Sequence, residues 1–418
     1  MTSPSTDGGT RGQILSWALF DFANTAFYVT ILTVGFPLYF REVVVGGGPF
    51  ADFLWGLAFS ISMAVVAIFS PILGAVADAG TGKKGFLAVF TLLCIAATAS
   101  LFTVGPGMVV AGMALLILAN IGFEAGLVFY DAFLPEIASE RTVGRISGYG
   151  FAAGYAGSLI MLAVAFPLYV GGFAEGNLRN VQFSFVLAAG IFFVFALPLF
   201  FVLPDRQRVH KLDRAILRSG FTRLAGTFRS LSSYRNIAWF LAAYFLYADG
   251  INTIIVFSSI FARETLQFDI GEIILFFAVI QTSALIGSIV FGILADHIGH
   301  KQTLTITLLL WLGLTGAAYL VTTKAAFTVV GALAGIALGS SQSTSRSLMS
   351  RIIPADKKTE FFGFYSFFGK ASAILGPLVF GIVSSNIDQR TAILSVGVFL
   401  LAGLLLLRRV HVPPLPSS

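Results

Sequence analysis

The chain has 418 residues, of which 57% are hydrophobic and only 11% are charged, and its mean hydropathy is +0.89. Soluble domains carry roughly 25% charged residues, so this composition excludes a soluble globular protein and predicts a membrane protein. The formal charge of +6 comes from segment 205–235, which holds eight Lys/Arg against two Asp. One basic loop therefore accounts for the charge better than nucleic-acid binding does.

The predicted spans are charge-poor stretches bounded by charges or by Gly and Pro, each close to the ~20 residues that a bilayer crossing needs. The polar residues 1–11 predict no removable signal peptide, so the first span is expected to act as the insertion signal. In the first half the spans lie near residues 13–40, 53–77, 85–104, 108–130, 146–171 and 181–203. In the second half they lie near residues 236–261, 273–295, 302–322, 325–345, 361–385 and 391–407.

These spans predict an all-α membrane protein with twelve transmembrane helices in two six-helix halves, 1–203 and 236–418. The basic loop 204–235 between them has apolar residues at helical spacing, which predicts an amphipathic helix on the inner leaflet with a tethering or a regulatory role. Most lysines and arginines then fall in inner loops, which predicts that both termini are cytoplasmic. The few in outer loops are Arg41, Arg179, Arg263, Lys324 and Arg390.

Short motifs recur in the two halves in the same order, which predicts a transporter assembled from repeats. The leading pair is Asp21-x-x-Asn24-Thr25 and Asp249-x-x-Asn252-Thr253. The other pairs are Gly74-x-x-Ala77-Asp78 with Gly292-x-x-Ala295-Asp296, Pro135 with Pro354, and Gly148 and Gly154 with Gly363 and Gly369. Four matches in one order are not expected by chance.

Several longer segments, taken together, resemble one family of membrane transporters. They include Trp17-Ala-Leu-Phe-Asp-Phe-Ala-Asn-Thr-Ala26, Phe129-Tyr-Asp-Ala-Phe-Leu-Pro-Glu136, Gly144-Arg-Ile-Ser-Gly-Tyr-Gly150, Tyr247-Ala-Asp-Gly250 and Phe361-Phe-Gly-Phe-Tyr365 with Gly369-Lys370. The family is the vacuole amino-acid effluxer (autophagy-related) branch of the major facilitator superfamily. The resemblance implies a twelve-helix facilitator fold with a central cavity and alternating access, and amino-acid efflux is the activity attributed to the eukaryotic members.

Five charged residues lie inside predicted spans, where each costs roughly 2.5 to 3.5 kcal/mol unless it faces a cavity or a partner. They are Asp21, Glu124, Asp249, Arg346 and Lys370. Asp21, Asn24 and Tyr28 share one face of the first span because they recur at helical spacing.

The Asp-Asn pairs have two interpretations. In one, Asp21 and Asp249 bind a polar or zwitterionic solute, with Asn24 and Asn252 as hydrogen-bonding partners. In the other, these residues hold helices together. Because the resemblance places the first and seventh spans at the cavity, the two carboxylates are expected to face each other across it.

The remaining intramembrane polar residues are also candidates. Glu124 shares a face with Asn120 and could carry a proton, or it could form a structural ion pair with Arg346 or Lys370. Lys370 could hold a substrate carboxylate or neutralise Asp249. Arg346 shares a face with Gln342 in the polar run 340–347, which either lines water or packs against polar neighbours.

The loops after the second and eighth spans resemble the superfamily's loop motif of Gly-x-x-x-Asp followed by Gly and bases. The resemblance implies that Asp78 and Asp296 latch the cytoplasmic side when the cavity faces outward. The usual Arg after each Asp is replaced by Ala79 and His297, which leaves nearby lysines as partners. The predicted gating set is Gly74, Asp78, Lys83, Lys84, Asp131, Arg145, Gly292, Asp296 and Lys301.

The sequence therefore predicts a secondary active transporter for a small polar solute, with amino acids and proton coupling as hypotheses. The alternative is a lipid or lysolipid transporter on the same fold. No catalytic constellation, metal-ligand spacing or phosphate-binding loop is recognisable, so no enzyme activity and no cofactor is predicted. The expected setting is a bacterial inner membrane, with a monomer that contacts lipid and no nucleic acid.

Overall fold

The computed structural model describes residues 9–48, 50–78, 83–131, 133, 137, 143–204, 234–353 and 358–412. Every regular element within these ranges is a helix. The α-helices are α1 (Arg11–Phe27), α2 (Gly35–Tyr39), α3 (Ala51–Asp78), α4 (Lys83–Ser100), α5 (Val109–Asp131), α6 (Val143–Tyr169), α7 (Leu178–Val202), α8 (Arg235–Glu264), α9 (Ile270–Ile298), α10 (His300–Leu320), α11 (Lys324–Ile352), α12 (Lys358–Ala371), α13 (Leu375–Asn386) and α14 (Gln389–Leu407).

Twelve helical segments of the described chain are long and apolar enough to cross a membrane, which confirms the predicted number of spans. Local signals in the sequence set several helix ends. Thr10 caps α1 in a capping box, Asp269 does the same for α9, and the Asp388 side chain caps α14. The predicted amphipathic helix of the basic loop falls on residues 205–233, outside the described residues.

The first span is longer and less regular than predicted. After α1 it continues as a π-helical segment, Tyr28–Thr33, bends at Val34, and resumes as α2 and a second π-helical segment, Phe40–Val44. Pro37 lies directly after the bend and has no N–H to continue the helical hydrogen bonds across it. The span is therefore divided into an N-terminal and a C-terminal part.

The eleventh span is broken as well, which the predicted span 361–385 did not anticipate. α12 ends at Ala371, a turn follows, and α13 begins at Leu375. Pro377 is the third residue of α13, where its missing N–H is tolerated. In a continuous helix its ring would meet the carbonyl of Ala373, so the break has a direct cause in the sequence.

Helix packing follows the same order in each half of the sequence. α1 packs on α6 and α7, and α4 packs on α7. In the second half, α8 packs on α12, α13 and α14, and α10 packs on α14. In both halves the first span thus contacts the fifth and sixth, and the third contacts the sixth, as expected for two six-helix repeats.

The chain forms two compact units. One contains the described residues of Met1–Phe36, Ile68–Val104 and Val110–Phe221, and the other contains those of Pro37–Ala67, Gly105–Val109 and Thr222–Ser418. The second unit therefore includes the C-terminal part of the first span and the N-terminal part of the second span, together with the second half of the sequence. The division into domains at 203 and 236 stays a prediction.

Candidate functional site

The first Asp-Asn pair is held in a fixed arrangement on α1. Asn24, which is buried, donates from Nδ2 to Oδ1 of the half-buried Asp21 at 3.1 Å. The Tyr130 hydroxyl of α5 lies beside Asp21 and donates to the Trp17 carbonyl at 3.0 Å. The Trp17 and Tyr130 rings stack with centroids 4.7 Å apart. Asp21 is therefore a positioned carboxylate that keeps part of its surface exposed.

The glycine face of α6 packs against this pair. A Cβ atom built on Gly150 would lie 2.8 Å from Asp21 Oδ2, and one built on Gly157 would lie 2.2 Å from the Phe22 carbonyl oxygen. The close approach lets Thr25 Oγ1 donate to the Gly154 carbonyl at 2.9 Å, a hydrogen bond between the two helices. These glycines thus keep space for Asp21 and bring α6 into contact with α1.

Tyr28 and Glu124, both predicted site residues, are brought together. Tyr28 is the first residue of the π-helical segment, and it interacts electrostatically with Glu124 of α5 and with Tyr155 of α6. Glu124 is half-buried, and Asn120, one turn before it, is fully buried. π-helical turns often occur at functional sites because they shift the direction of the following side chains.

The second Asp-Asn pair has a different environment. Asp249 of α8 has 0% exposure, and its Oδ1 accepts a hydrogen bond from the Gly376 backbone N–H at 2.8 Å. Oδ2 has no hydrogen-bond partner among the described residues. Asn252 donates to Ser372 Oγ at 3.4 Å rather than to the carboxylate. The carboxylate therefore lies at the break in the eleventh span.

Charges of both signs complement the two helix ends at this break. Gly376 is the second residue of α13, where backbone N–H groups have no partner within the helix, and Asp249 supplies one. Lys370 lies in the last turn of α12, where a cation complements the free carbonyl end. A cation is favourable at this helix end, and the role of Lys370 as a substrate ligand stays a prediction.

The polar run on α11 has two distinct faces. Ser340 and Ser341 are buried and hydrogen-bond to Thr307 at 2.6 Å and to the Trp311 indole at 2.9 Å. Ser345 bonds to the Tyr247 hydroxyl of α8 at 2.7 Å. These three serines pack against polar neighbours.

The other face of this run is exposed and carries Gln342 and Arg346. Arg346 interacts electrostatically with Tyr244 and Tyr365, whose rings stack at 4.3 Å. Guanidinium groups bind anionic groups through charge-assisted hydrogen bonds, so the role of Arg346 as a solute ligand stays a prediction.

The predicted gating residues are described only in part. Lys83 and Lys84 begin α4, and Asp131, exposed, ends α5. Lys301 donates from Nζ to the carbonyls of Arg408 at 3.1 Å and Val410 at 2.6 Å, so it holds the end of α14. Gly74 lies within α3 and Gly292 within α9. The side chains that lie outside the described part are those of Asp78, Arg145 and Asp296.

Sequence reasoning missed four residues that contact the predicted set. Tyr155 lies between Gly154 and Gly157 on α6, and Tyr244 lies one turn before Tyr247 on α8. A search for tyrosines beside the recurring motifs would have found both. Gly376 and Ser372 matter because the span breaks beside them. The Gly376-Pro377 pair was the available signal for that break.

Comparison with known proteins places the chain in a family. Residues 54–413 match the sequence model for vacuole effluxer Atg22-like proteins. An uncharacterised MFS-type transporter of Bacillus subtilis, YxiO, is 30% identical over 94% of this chain and 93% of its own. Autophagy-related protein 22-1 of Penicillium rubens is 23% identical over 84% of this chain and 75% of its own.

Solved structures of transporters share the fold. A mutant of the nucleoside transporter NupG superposes with a TM-score of 0.74 at 14% identity, over 96% of this chain and all of the other. The inward-open xylose transporter XylE of E. coli gives a TM-score of 0.66 at 15% identity, over 96% of each chain. At such identities the likeness establishes the fold alone.

Proposed function

Because the chain belongs to the vacuole effluxer Atg22-like family, we propose that it moves a small polar solute, with amino acids as the first class to test, by proton-coupled alternating access. That it is a multi-pass membrane transporter of the major facilitator type, and not an enzyme, follows from its relatives and its fold. Solute and coupling ion are the proposed parts. The proposed proton coupling rests on the burial of the Asp249 carboxylate.

Asp249 is suited to proton carriage by its surroundings. A carboxylate oxygen that is fully buried without a donor is costly to keep ionised, and a proton removes that cost. The Gly376 N–H holds the other oxygen in either state, since a neutral carboxyl also has an acceptor oxygen. Uptake and release of one proton at Oδ2 would change the charge at the break in the eleventh span.

The solute ligands proposed are polar side chains that keep some exposure, together with Asn24, which is buried but bonded to Asp21. In the first half, Asp21, Asn24 and the Tyr28–Glu124 pair supply negative charge and hydrogen-bonding groups. In the second half, Arg346 and Gln342 supply a cation and an amide on an exposed helix face. Groups of both charge signs fit a zwitterionic solute better than an uncharged one.

The orientation and oligomeric state belong to the same proposal. Lysine and arginine residues concentrate in the loops on the same side of the membrane as the two chain termini. This supports cytoplasmic termini in a bacterial inner membrane. A monomer suffices, because each of the family's repeats is present once in one chain.

The test is uptake and ligand binding by purified protein. Thermal shift against amino acids, peptides, sugars and lysolipids identifies the solute class, and proteoliposomes then measure its transport with and without an imposed pH gradient. We expect Asp249→Asn to bind solute but to lose the response to the gradient, and Asp21→Asn to lose binding. Glu175→Gln, an exposed change in the short turn that precedes α7, is the control.

Three outcomes contradict parts of this proposal. Stabilisation by lysolipids alone would replace the polar solute with a lipid. Binding that survives both Asp21→Asn and Arg346→Ala would remove the assigned ligands. Transport that ignores the pH gradient in the unmodified protein would exclude the proton.

A further inference from the structure

A charged cluster joins the outer ends of three spans, the first, second and seventh, within the second unit. Arg41 pairs with Asp52 at 3.2 Å and with Glu264 at 3.3 Å. Arg263 pairs with Glu42 through two hydrogen bonds, of 2.7 Å from Nε and 3.2 Å from Nη2. A two-point Arg-carboxylate contact is among the stronger and more directional of ion pairs. We call these five residues the outer cluster.

The outer cluster is extended by neutral partners. Asp52 accepts hydrogen bonds from Gln389 Nε2 at 2.9 Å and from the Ser384 hydroxyl. Gln389 in turn accepts from Thr265 at 2.7 Å. The Asp52 side chain is only 5% exposed and that of Arg41 only 11%. These charges are therefore largely withdrawn from water and interact more strongly than a surface pair would.

The partners come from opposite halves of the sequence. Arg41, Glu42 and Asp52 belong to the first two spans, whereas Arg263 and Glu264 end the seventh. The stretch Pro37–Ala67 is accordingly part of the same compact unit as the second half of the chain. The cluster thus fastens the outer ends of the first two spans to helices of the other repeat.

Close packing continues below the cluster along α3. The Trp55 indole donates to the Val256 carbonyl at 3.3 Å, and Ser60 Oγ donates to the Ile374 carbonyl at 2.8 Å. A Cβ atom built on Gly56 would lie 2.5 Å from the Pro377 carbonyl oxygen, so the two backbones touch. Ser60 lies nine residues after Ala51, roughly 13 Å along the helix axis, and it is 2% exposed.

The backbone of the first span is irregular just before the segment that carries Arg41 and Glu42. The π-helical segment ends at Thr33, Val34 has φ −120 and ψ −64, and Pro37 follows. The boundary between the two compact units falls between Phe36 and Pro37. Irregular backbone of this kind absorbs large dihedral changes and is where hinges occur.

From these contacts we propose that the outer cluster is a latch that keeps the transporter closed at the end of the spans distant from the termini. Opening to that side separates Arg41 and Glu42, which move with the outer part of the first span about the joint at Val34–Pro37, from Glu264 and Arg263. The latch rests on the proposed alternating access. It can be tested before the transported solute is known.

The test measures access to Ser60, beneath the latch. The probe is Ser60→Cys in a Cys94→Ala background, since Cys94 is the chain's single cysteine. A membrane-impermeant methanethiosulfonate reagent is added from outside to cells, and the labelling rate is read. Glu42→Arg is expected to raise the rate about tenfold, because it leaves Arg263 facing a like charge and favours the separated state. The swap Glu42→Arg with Arg263→Glu restores the pair and is expected to return the rate to its starting value.

A matched control lies at the same end of the molecule. Glu272 and Lys324 form an ion pair between α9 and α11, both of the second half. Their side chains are 38% and 44% exposed, so this pair is more solvated than the outer cluster. The reversal Glu272→Arg is expected to leave Ser60 labelling unchanged. Size-exclusion profiles identify variants that fail to fold. If Glu42→Arg is one of them, Gln389→Ala replaces it. This change removes a neutral partner of Asp52, and it is expected to raise the labelling rate by a smaller factor.

The labelling experiment tests the latch independently of the proposed solute and of the proposed proton coupling. Unchanged labelling in both Glu42→Arg and Gln389→Ala, or a swap that labels as fast as the single reversal, overturns the latch. Failure to find a transported solute leaves the labelling result standing. A raised rate in Glu272→Arg as well would show general loosening of the outer surface and would also overturn the proposal.

Discussion

The two Asp-x-x-Asn-Thr motifs have the same sequence and different surroundings. Asp21 is half-buried and bonded to Asn24 of its own motif, and it packs beside an unbroken helix. Asp249 is wholly buried and bonded to Gly376, at a break in the corresponding helix of the second half. A repeated motif therefore specifies where a carboxylate lies, whereas the helix packed against it decides what the carboxylate binds.

The cause of the difference lies in the partner helices. Aligning Gly154 with Gly369 places Leu162 of α6 opposite Pro377. Leucine continues a helix, whereas proline in its interior costs about 3 kcal/mol or more. The second half thus has a free helix N-terminus where the first half has none, and a buried carboxylate finds a donor there.

The largest expected effect comes from removing the Asp249 side chain. Asp249→Ala leaves the Gly376 N–H without its partner in a buried place, and we expect a loss of about 3 kcal/mol in unfolding free energy. Asp21→Ala is expected to cost less than half as much, because Asp21 keeps contact with solvent. Unfolding of both variants in mixed micelles is the measurement. Equal losses would mean that the two sites are energetically alike.

Filling the close approach at the break is expected to cost somewhat less. A Cβ atom on Gly376 would lie 2.0 Å from Thr253 Oγ1, whereas one on Gly154 would lie 3.2 Å from Thr25 Cγ2. Gly376→Ala should therefore destabilise the protein by about 2 kcal/mol, the usual size of overpacking, and Gly154→Ala by less. The same unfolding assay decides, and a more harmful Gly154→Ala would contradict the closer approach at Gly376.

Asp388 offers an exposed version of the Asp249 arrangement. Its carboxylate caps α14, and hydrogen bonds from the backbone and side chain of Thr391 lower the pKa of Asp388. The cap's contribution is present above the carboxyl's unfolded pKa and is lost as pH falls through the lower folded value. Asp388→Ala should cost about 1 kcal/mol at neutral pH, and the difference from the unmodified protein should shrink in acid. A difference that stays constant in acid would show that the cap does not depend on the charge.

The smallest expected effect separates the two threonines. Thr25 donates both to the Phe22 carbonyl of its own helix and to the Gly154 carbonyl of another helix. Among the described residues, Thr253 donates to the Asp249 carbonyl of its own helix alone. Thr25→Val should lose about 0.6 kcal/mol, a typical value for a hydrogen bond between membrane helices. Thr253→Val should be close to neutral. A reversed order, measured in the same micelles, would place the interhelical bond in the second half.

Much of the architecture was accessible from the sequence. Long apolar runs predicted twelve spans because backbone groups in lipid must be satisfied within a helix, and the paired motifs predicted two repeats. The pairing of Tyr28 with Glu124 was less accessible, since it depends on a π-helical segment and on the approach of α5. The outer cluster was not predicted at all, because Arg41 and Arg263 were interpreted only as outer-loop charges.

What the sequence determined by itself was local: helix lengths, caps at Thr10 and Asp388, and the recurrence of Asp21 as Asp249. Only the tertiary structure decided which groups those carboxylates meet. Periodicity fixes the face of a helix on which a side chain lies, but a hydrogen bond such as Asp249 to Gly376 spans 127 positions in the chain. Such contacts depend on how distant helices pack and where they break, which no local pattern records.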